Sequence, residues 1–163
     1  MMKIKSKQLN SHDCIICGID NPFGLKAMFY NTDDNRVVTK FKYKFEHQSY
    51  PGRAHGGMIS AMLDELIGRA IWINQPDMWG VTIKLEVKYR KPVPYDTELI
   101  AYGRIDSETS RTFTGSGHIE DLDGNILAEA TATYMKLPID KITDTPEDEH
   151  SKMFLIPDDI TEI

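Results

Sequence analysis

The sequence predicts an α+β fold in which one long helix packs on about six antiparallel strands. Three stretches carry that prediction. His55–Trp72 has apolar residues at helical spacing, Ile59, Leu63, Leu66 and Ala70, widened by Met62 and Ile67. Trp79–Pro92 alternates apolar and polar residues over a long strand, the pattern of an antiparallel sheet with one covered face. Asp123-Gly124 is a tight-turn pair between two further alternating runs. A lone helix has only this sheet to bury itself in, so the sheet must wrap around it or a second subunit must cover the rest.

In chain order, residues 1–13 are polar and read as frayed or loosely docked. Cys14 and Cys17 follow, then GIDNPFGL, a turn. Leu25–Asn31 is a short strand candidate and TDDN a second turn. Arg36–Phe45 alternates, with Val37, Thr39, Phe41, Tyr43 and Phe45 on one side and lysines on the other. EHQSYPGRA is a loop that delivers the chain to His55. Gly56 and Gly57 suit a helix entry, because glycine lets a ligand approach the backbone and a first helical turn has N–H groups to spare. The helix runs to about Asn74, where Gln75-Pro76-Asp77 ends it.

In Trp79–Pro92, the alternation puts Val81, Ile83, Leu85, Val87 and Tyr89 on one face. Thr82, Lys84, Glu86, Lys88 and Arg90 fall on the other. Thr97–Asp106 is the next strand. Arg111–Asp121 presents Phe113, Gly115, Gly117 and Ile119 together. Asn125–Leu137 presents Ile126, Ala128, Ala130, Ala132 and Tyr134, small enough for a central, tightly packed strand. From Pro138 the pattern dissolves. DKITDTPEDEHSK reads as a mobile acidic extension, and MFLIPDDI as an apolar patch that docks on the body or on a partner subunit. The expected division is an N-terminal extension with the C-x-x-C leader (1–24), one domain (25–137) and an acidic C-terminal extension (138–163).

Within the helix a second stripe, at four-residue spacing, holds Ser60, Asp64 and Gly68. It is small or acidic, so another backbone can come close there. Asp64 thus sits at the flank of the apolar face, where a carboxylate is costly unless it is partnered or used. Periodicity alone leaves packing and chemistry equally open. Glu65 and Arg69 are expected on the outer face as an i,i+4 pair.

The net charge of −6 belongs to residues 138–163, which hold eight acidic and two basic side chains; the remainder is balanced. Such a body lacks the basic footprint of a nucleic-acid binder. No run of 18 apolar residues predicts a membrane-spanning helix, and the start has no apolar signal region, so a cytoplasmic location is expected. The only cysteines, Cys14 and Cys17, cannot complete a four-ligand zinc site by themselves. A structural or incidental role is the leading reading for them, and metal binding with His12 as a third ligand is the alternative. No metal or other cofactor is expected.

Four segments resemble the hotdog-fold thioesterases of the PaaI and 4-hydroxybenzoyl-CoA thioesterase type. They are CIICGIDNPFGL, YPGRAHGGMISAMLDELIGRA, VTIKLEVKYRKPVP and DLDGNILAEATATYMK, which together span roughly residues 14–137. The specific part is HGG with an aspartate nine residues after the histidine, followed by the strand T-x-x-L-x-V-x-Y-x-x-P-V. The resemblance implies a hotdog fold, with a long helix wrapped by a curved antiparallel sheet. It implies a homodimer joined edge to edge, paired further into a dimer of dimers, with active sites between subunits. The implied activity is hydrolysis of an acyl-CoA to a free acid and CoA.

Residue by residue, the resemblance implies that Asp64 acts as general base or nucleophile. A backbone N–H of the Gly56-Gly57 turn polarises the thioester carbonyl, His55 orients the loop or the thioester, and Thr82 positions water. Arg53, Lys88, Arg90 and Lys91 are candidates for the CoA phosphates, against the reading of a solvated charged face. Met58, Met62 and Trp79 are candidates to line the acyl tunnel, against the reading of plain core. One departure is Ser49, where some members carry an asparagine facing the carboxylate. Two other functions compete: a non-catalytic acyl-CoA sensor, and an enoyl-thioester hydratase or dehydratase in which His55 and Asp64 pair.

Overall fold

The computed structural model describes residues 2–145 and 152–163. Its strands are β1 (Ile4–Lys7), β2 (Tyr30–Thr32), β3 (Val37–Phe41), β4 (Trp79–Tyr89), β5 (Leu99–Glu108), β6 (Thr112–Asp121) and β7 (Ile126–Leu137). The helix α1 spans Gly56–Gly68 and tightens into a 3-10 turn at Arg69–Ile73. All strands join one antiparallel sheet in the order β1-β2-β3-β5-β6-β7-β4. This is the α+β hotdog architecture, with seven strands where the sequence predicts about six. The added strand is β1, in the segment expected to fray.

How close the helix lies to the sheet is set by small residues. Ile59, Met62, Leu63, Leu66 and Ile67 are buried against the sheet. Beneath them lie Gly103, Gly115, Gly117, Ala130 and Ala132. A Cβ at Gly115 would sit 2.6 Å from Ile67 Cγ2, and one at Gly103 would sit 2.9 Å from Leu66 Cγ. Any side chain on those strands would lift the helix off and open voids that a close-packed interior cannot tolerate. Tyr134 and Phe113 close one end of this floor as a stacked pair, 4.8 Å between ring centres.

The long strand departs from simple alternation. β4 pairs with β7 as Thr82↔Tyr134 and then Lys84↔Thr133, so Ile83 is an extra residue, a bulge. The bulge resets the faces. Leu85 and Val87 pack towards the core, whereas Ile83 is 55% exposed. Thr82, expected on the polar face opposite Leu85 and Val87, is turned towards α1 with them. β4 is also an edge of the sheet, and Val81 and Tyr89 are exposed along it.

A second departure concerns Arg69. It pairs with Glu65 (Nε to Oε1, 2.8 Å) as expected, but it is only 2% exposed and not on an outer face. The N-terminal leader covers it: Arg69 donates to Gln8 Oε1 and Leu9 O, and its guanidinium lies over the rings of Phe29 and Trp72. The ion pair, two hydrogen bonds and the ring contacts together offset the desolvation of a buried guanidinium.

The ends of the chain meet. Met2 and Ile163 exchange backbone hydrogen bonds, Ile4 N donates to Thr161 O, and Asn10 and Phe154 exchange a further pair. The apolar patch near the C-terminus therefore docks on this chain's own leader. Most of the acidic stretch between them, residues 146–151, lies outside the described residues. Asp158 fastens the contact through Lys7 and the Tyr30 hydroxyl. Burial opposes ionisation of Asp158, but the hydrogen bonds from Lys7 and Tyr30 outweigh it and hold the carboxyl below its usual range.

Two outcomes follow from this packing. Gly115→Ala places a methyl against Ile67 and the Arg104 carbonyl and lowers stability by about 1–3 kcal/mol, as read by urea unfolding. The depressed folded-state pKa of Asp158 stabilises terminal docking above the usual carboxyl range, and that stability is lost as pH falls through the folded value. Below about pH 4, progressively faster hydrogen exchange is expected at the Ile4 and Ile163 amides, with β5–β7 still protected.

Candidate active site

The loop before α1 folds back on itself. Gly52 has φ of +78°, which lets the turn close with Arg53 N donating to Tyr50 O at 2.9 Å. Ser49 N then bonds Arg53 O, Ala54 N bonds Val93 O, and His55 N bonds His47 O. The loop thus presents His55 as the helix N-cap. His55 Nδ1 accepts the Gly57 N–H at 2.8 Å, and His55 O accepts from Met58 and Ile59. An Nδ1 that accepts carries no proton, so the neutral ring holds its proton on Nε2.

This cap distinguishes the two glycines. The Gly57 N–H is spent on His55. The Gly56 N–H has no acceptor among the described residues and stands at the positive end of the helix dipole. Tyr89, from the far end of β4, holds the next peptide, the one between the two glycines: its hydroxyl donates to Gly56 O at 2.9 Å and lies 2.7 Å from Ser60 Oγ.

Asp64 lies two turns further along the same helix, half-buried, on the Ser60–Gly68 stripe. Thr82 Oγ1 donates to Oδ1 at 2.9 Å and approaches Oδ2 at 3.2 Å. The Tyr134 hydroxyl lies 3.0 Å from Oδ1 and 2.9 Å from the Asp64 carbonyl. Burial, reinforced by the charge of Asp64, pushes the Tyr134 phenol well above its ordinary pKa, so it remains a donor. Oδ1 is therefore held by two hydroxyls, while Oδ2 has only the longer Thr82 contact. The carboxylate is both partnered and open at the β4 edge.

The remaining candidates divide. Arg53 and Lys91 line one groove of about 510 Å³ with Pro92, Pro94 and Leu127. Lys88 lines a separate groove of about 390 Å³, floored by β5, β6 and β7, with Arg36, Glu86 and Arg104. Arg90 is ion-paired to Glu129. Met58 packs partly on the core, and Trp79 stands edge-on to Trp72 with ring centres 4.7 Å apart. Met62 is fully buried in the core and lines no open tunnel. On the opposite flank of α1, Cys14, Cys17 and Glu65 gather with ligand atoms within 4.8 Å of one another.

Two residues of this constellation escaped the sequence reading. Tyr134 could have been suspected from its place at the end of the inward alanine run. Tyr89 offered only its position in the strand motif. Neither partnership has a local signal, because each joins residues far apart in the chain.

The fold and the site together define a hotdog domain with a hydroxyl-held carboxylate and one free helix N–H. The family profile described as thioesterase superfamily matches residues 51–128. Acyl-coenzyme A thioesterase THEM4 of Rattus norvegicus is 28% identical over 139 residues, covering 84% of this chain and 59% of that protein. Its Mus musculus counterpart is 31% identical over 116 residues, covering 71% and 49%. A solved thioesterase superfamily protein superposes with a TM-score of 0.70 at 25% identity, covering 77% of this chain and 60% of that one. The chain is similar to the thioesterase superfamily over a little under half of its length. It spans about half to three-fifths of the length of the two THEM4 relatives.

The cap geometry gives a direct outcome. His55→Ala removes the Nδ1 acceptor and lowers stability by about 0.5–2 kcal/mol, whereas His55→Asn, a favourable N-cap, retains most of it. Paired denaturant titrations measure the difference.

Proposed function

We propose that the protein is an acyl-CoA thioesterase and that Asp64 is its catalytic carboxylate. The observation that carries this reading is the state of Asp64: one oxygen fixed by Thr82 and Tyr134, the other available at an open edge. The names of the THEM4 relatives support the substrate class. In this reading Asp64 takes a proton from water, and the water oxygen bonds to the thioester carbonyl carbon. The oxyanion that develops accepts the Gly56 N–H. The carbon–sulfur bond then breaks, and the CoA thiolate leaves with the proton that Asp64 received. Direct attack by Asp64, through an anhydride, is the other route open to the same carboxylate. Thr82 serves as a positioning residue, and His55 sets the helix start.

One chain does not bring these groups to a single carbonyl. Gly56 and Asp64 are eight residues apart on one helix, about 12 Å along its axis. The reading therefore includes a homodimer in which each site takes Asp64 from one subunit and the Gly56 N–H from the other. The β4 edge, with Val81, Ile83 and Tyr89 exposed and no strand paired on its outer side among the described residues, is the surface proposed to join. Further pairing into a dimer of dimers, CoA phosphates at Arg53 and Lys91, an acyl chain near Met58 and Trp79, and a cytoplasmic location complete the proposal.

Acyl- and aryl-CoA panels, followed by chromatography of the released acid, test the activity. Asp64→Ala is expected to lower kcat/KM by about 10²–10⁴-fold while far-ultraviolet circular dichroism is unchanged; full activity in that variant sinks the mechanism. After a single turnover in ¹⁸O-water, label found on Asp64 identifies direct attack through the anhydride. Sedimentation at micromolar concentration is expected to give a dimer or larger.

A further inference from the structure

Cys14 and Cys17 have a partner that their spacing could not reveal. Glu65, 51 residues after Cys14, brings Oε2 to 3.9 Å from Cys14 Sγ. All three ligand atoms lie within 4.8 Å of one another. A tetrahedral zinc ion with Zn–S of about 2.3 Å and Zn–O of about 2.1 Å needs ligand separations of about 3.6–3.8 Å. The cluster is within about an ångström of that geometry.

The surrounding turn is shaped to hold thiolates. The backbone N–H groups of Ile16 and Cys17 point at Cys14 Sγ, at 3.3 and 3.5 Å. Gly18 N closes the turn on Cys14 O at 2.8 Å. A Cβ at Gly18 would lie 2.4 Å from that same carbonyl oxygen, so the turn accepts only glycine after the second cysteine. Ser11 Oγ lies 3.2 Å from Cys17 Sγ and accepts the Cys14 N–H. The charges also balance. Two thiolates and a carboxylate carry one negative charge more than a divalent cation neutralises. The buried Arg69 guanidinium, 2.8 Å from the other oxygen of Glu65, supplies the remaining positive charge.

We propose that Cys14, Cys17 and Glu65 form a binding site for one thiophilic divalent cation, zinc, with water in the fourth position. Cys17 is buried and Cys14 half-exposed, so the fourth position faces the solvent side of the turn. The site staples the leader to α1 at the residue next to Asp64, on the opposite flank from the chemistry.

The test is anaerobic titration of the full chain with Co²⁺, after reduction, chelation and a thiol count confirming that both cysteines are free. The expected result is one cobalt per chain with sulfur-to-cobalt charge-transfer absorption, displaced by zinc. Cys14→Ser abolishes that band, and Glu65→Gln keeps it but weakens binding at least tenfold. Saturating zinc raises the Tm of the wild type and leaves that of Cys14→Ser unchanged, with melts of the metal-free proteins reporting on folding. A fully reduced protein without the charge-transfer band overturns the proposal. So does a Glu65→Gln variant that binds cobalt as tightly as the wild type.

Discussion

Everything in this domain depends on how near α1 can lie to the sheet. Glycines at 103, 115 and 117 and alanines at 130 and 132 replace a layer of side chains with backbone. Packing of that kind makes the position of the helix a hard constraint. It is what allows Tyr134, rooted in β7, to reach both the carbonyl and the carboxylate of Asp64. It also allows Tyr89 to reach Gly56 from the far end of β4. A helix held a few ångströms further out would retain its apolar face but lose both hydroxyl contacts.

The helix thereby acquires three sides with different tasks. Its lower side is core. One flank carries Ser60, Asp64 and Gly68 towards β4 and β7. The other carries Glu65 and Arg69 towards the leader, where Nη1 of the buried guanidinium finds a side-chain and a main-chain acceptor at residues 8 and 9. Adjacent residues 64 and 65 face opposite flanks because neighbours on a helix are about 100° apart. The proposed chemistry and the anchoring of the leader can thus share one helix without sharing a surface.

The sequence was legible wherever structure follows from local period or turn chemistry. The helix, the inward set Phe113, Gly115, Gly117 and Ile119, the alanine run of β7 and the Asp123-Gly124 hairpin are all of that kind. Asp64 stood out because a carboxylate on an apolar flank needs an explanation. Illegible were the features made by contacts distant in sequence. The Ile83 bulge depends on the register against β7, so alternation alone assigned Thr82 to the wrong face. β1 reads as a polar tail because it is a short strand on a sheet edge, stabilised by residues more than 150 positions away. Arg69 looked exposed because its cover is the leader, which has no helical or strand period of its own.

The contact between the two ends of the chain bears on how many copies can associate. A sheet with two open edges is a monomer for an endless polymer, since each addition regenerates the edge it consumed. Here residues 161–163 run beside residues 2–4, so part of the β1 edge is covered by another segment of the same chain. Among the described residues, β4 is the long uncovered edge. In the proposed dimer, a two-fold pairing through β4 uses the β4 edges of both subunits at once. In that proposal, growth along the sheet is limited because the opposite edge, at residues 2–4, is covered by another segment of the same chain.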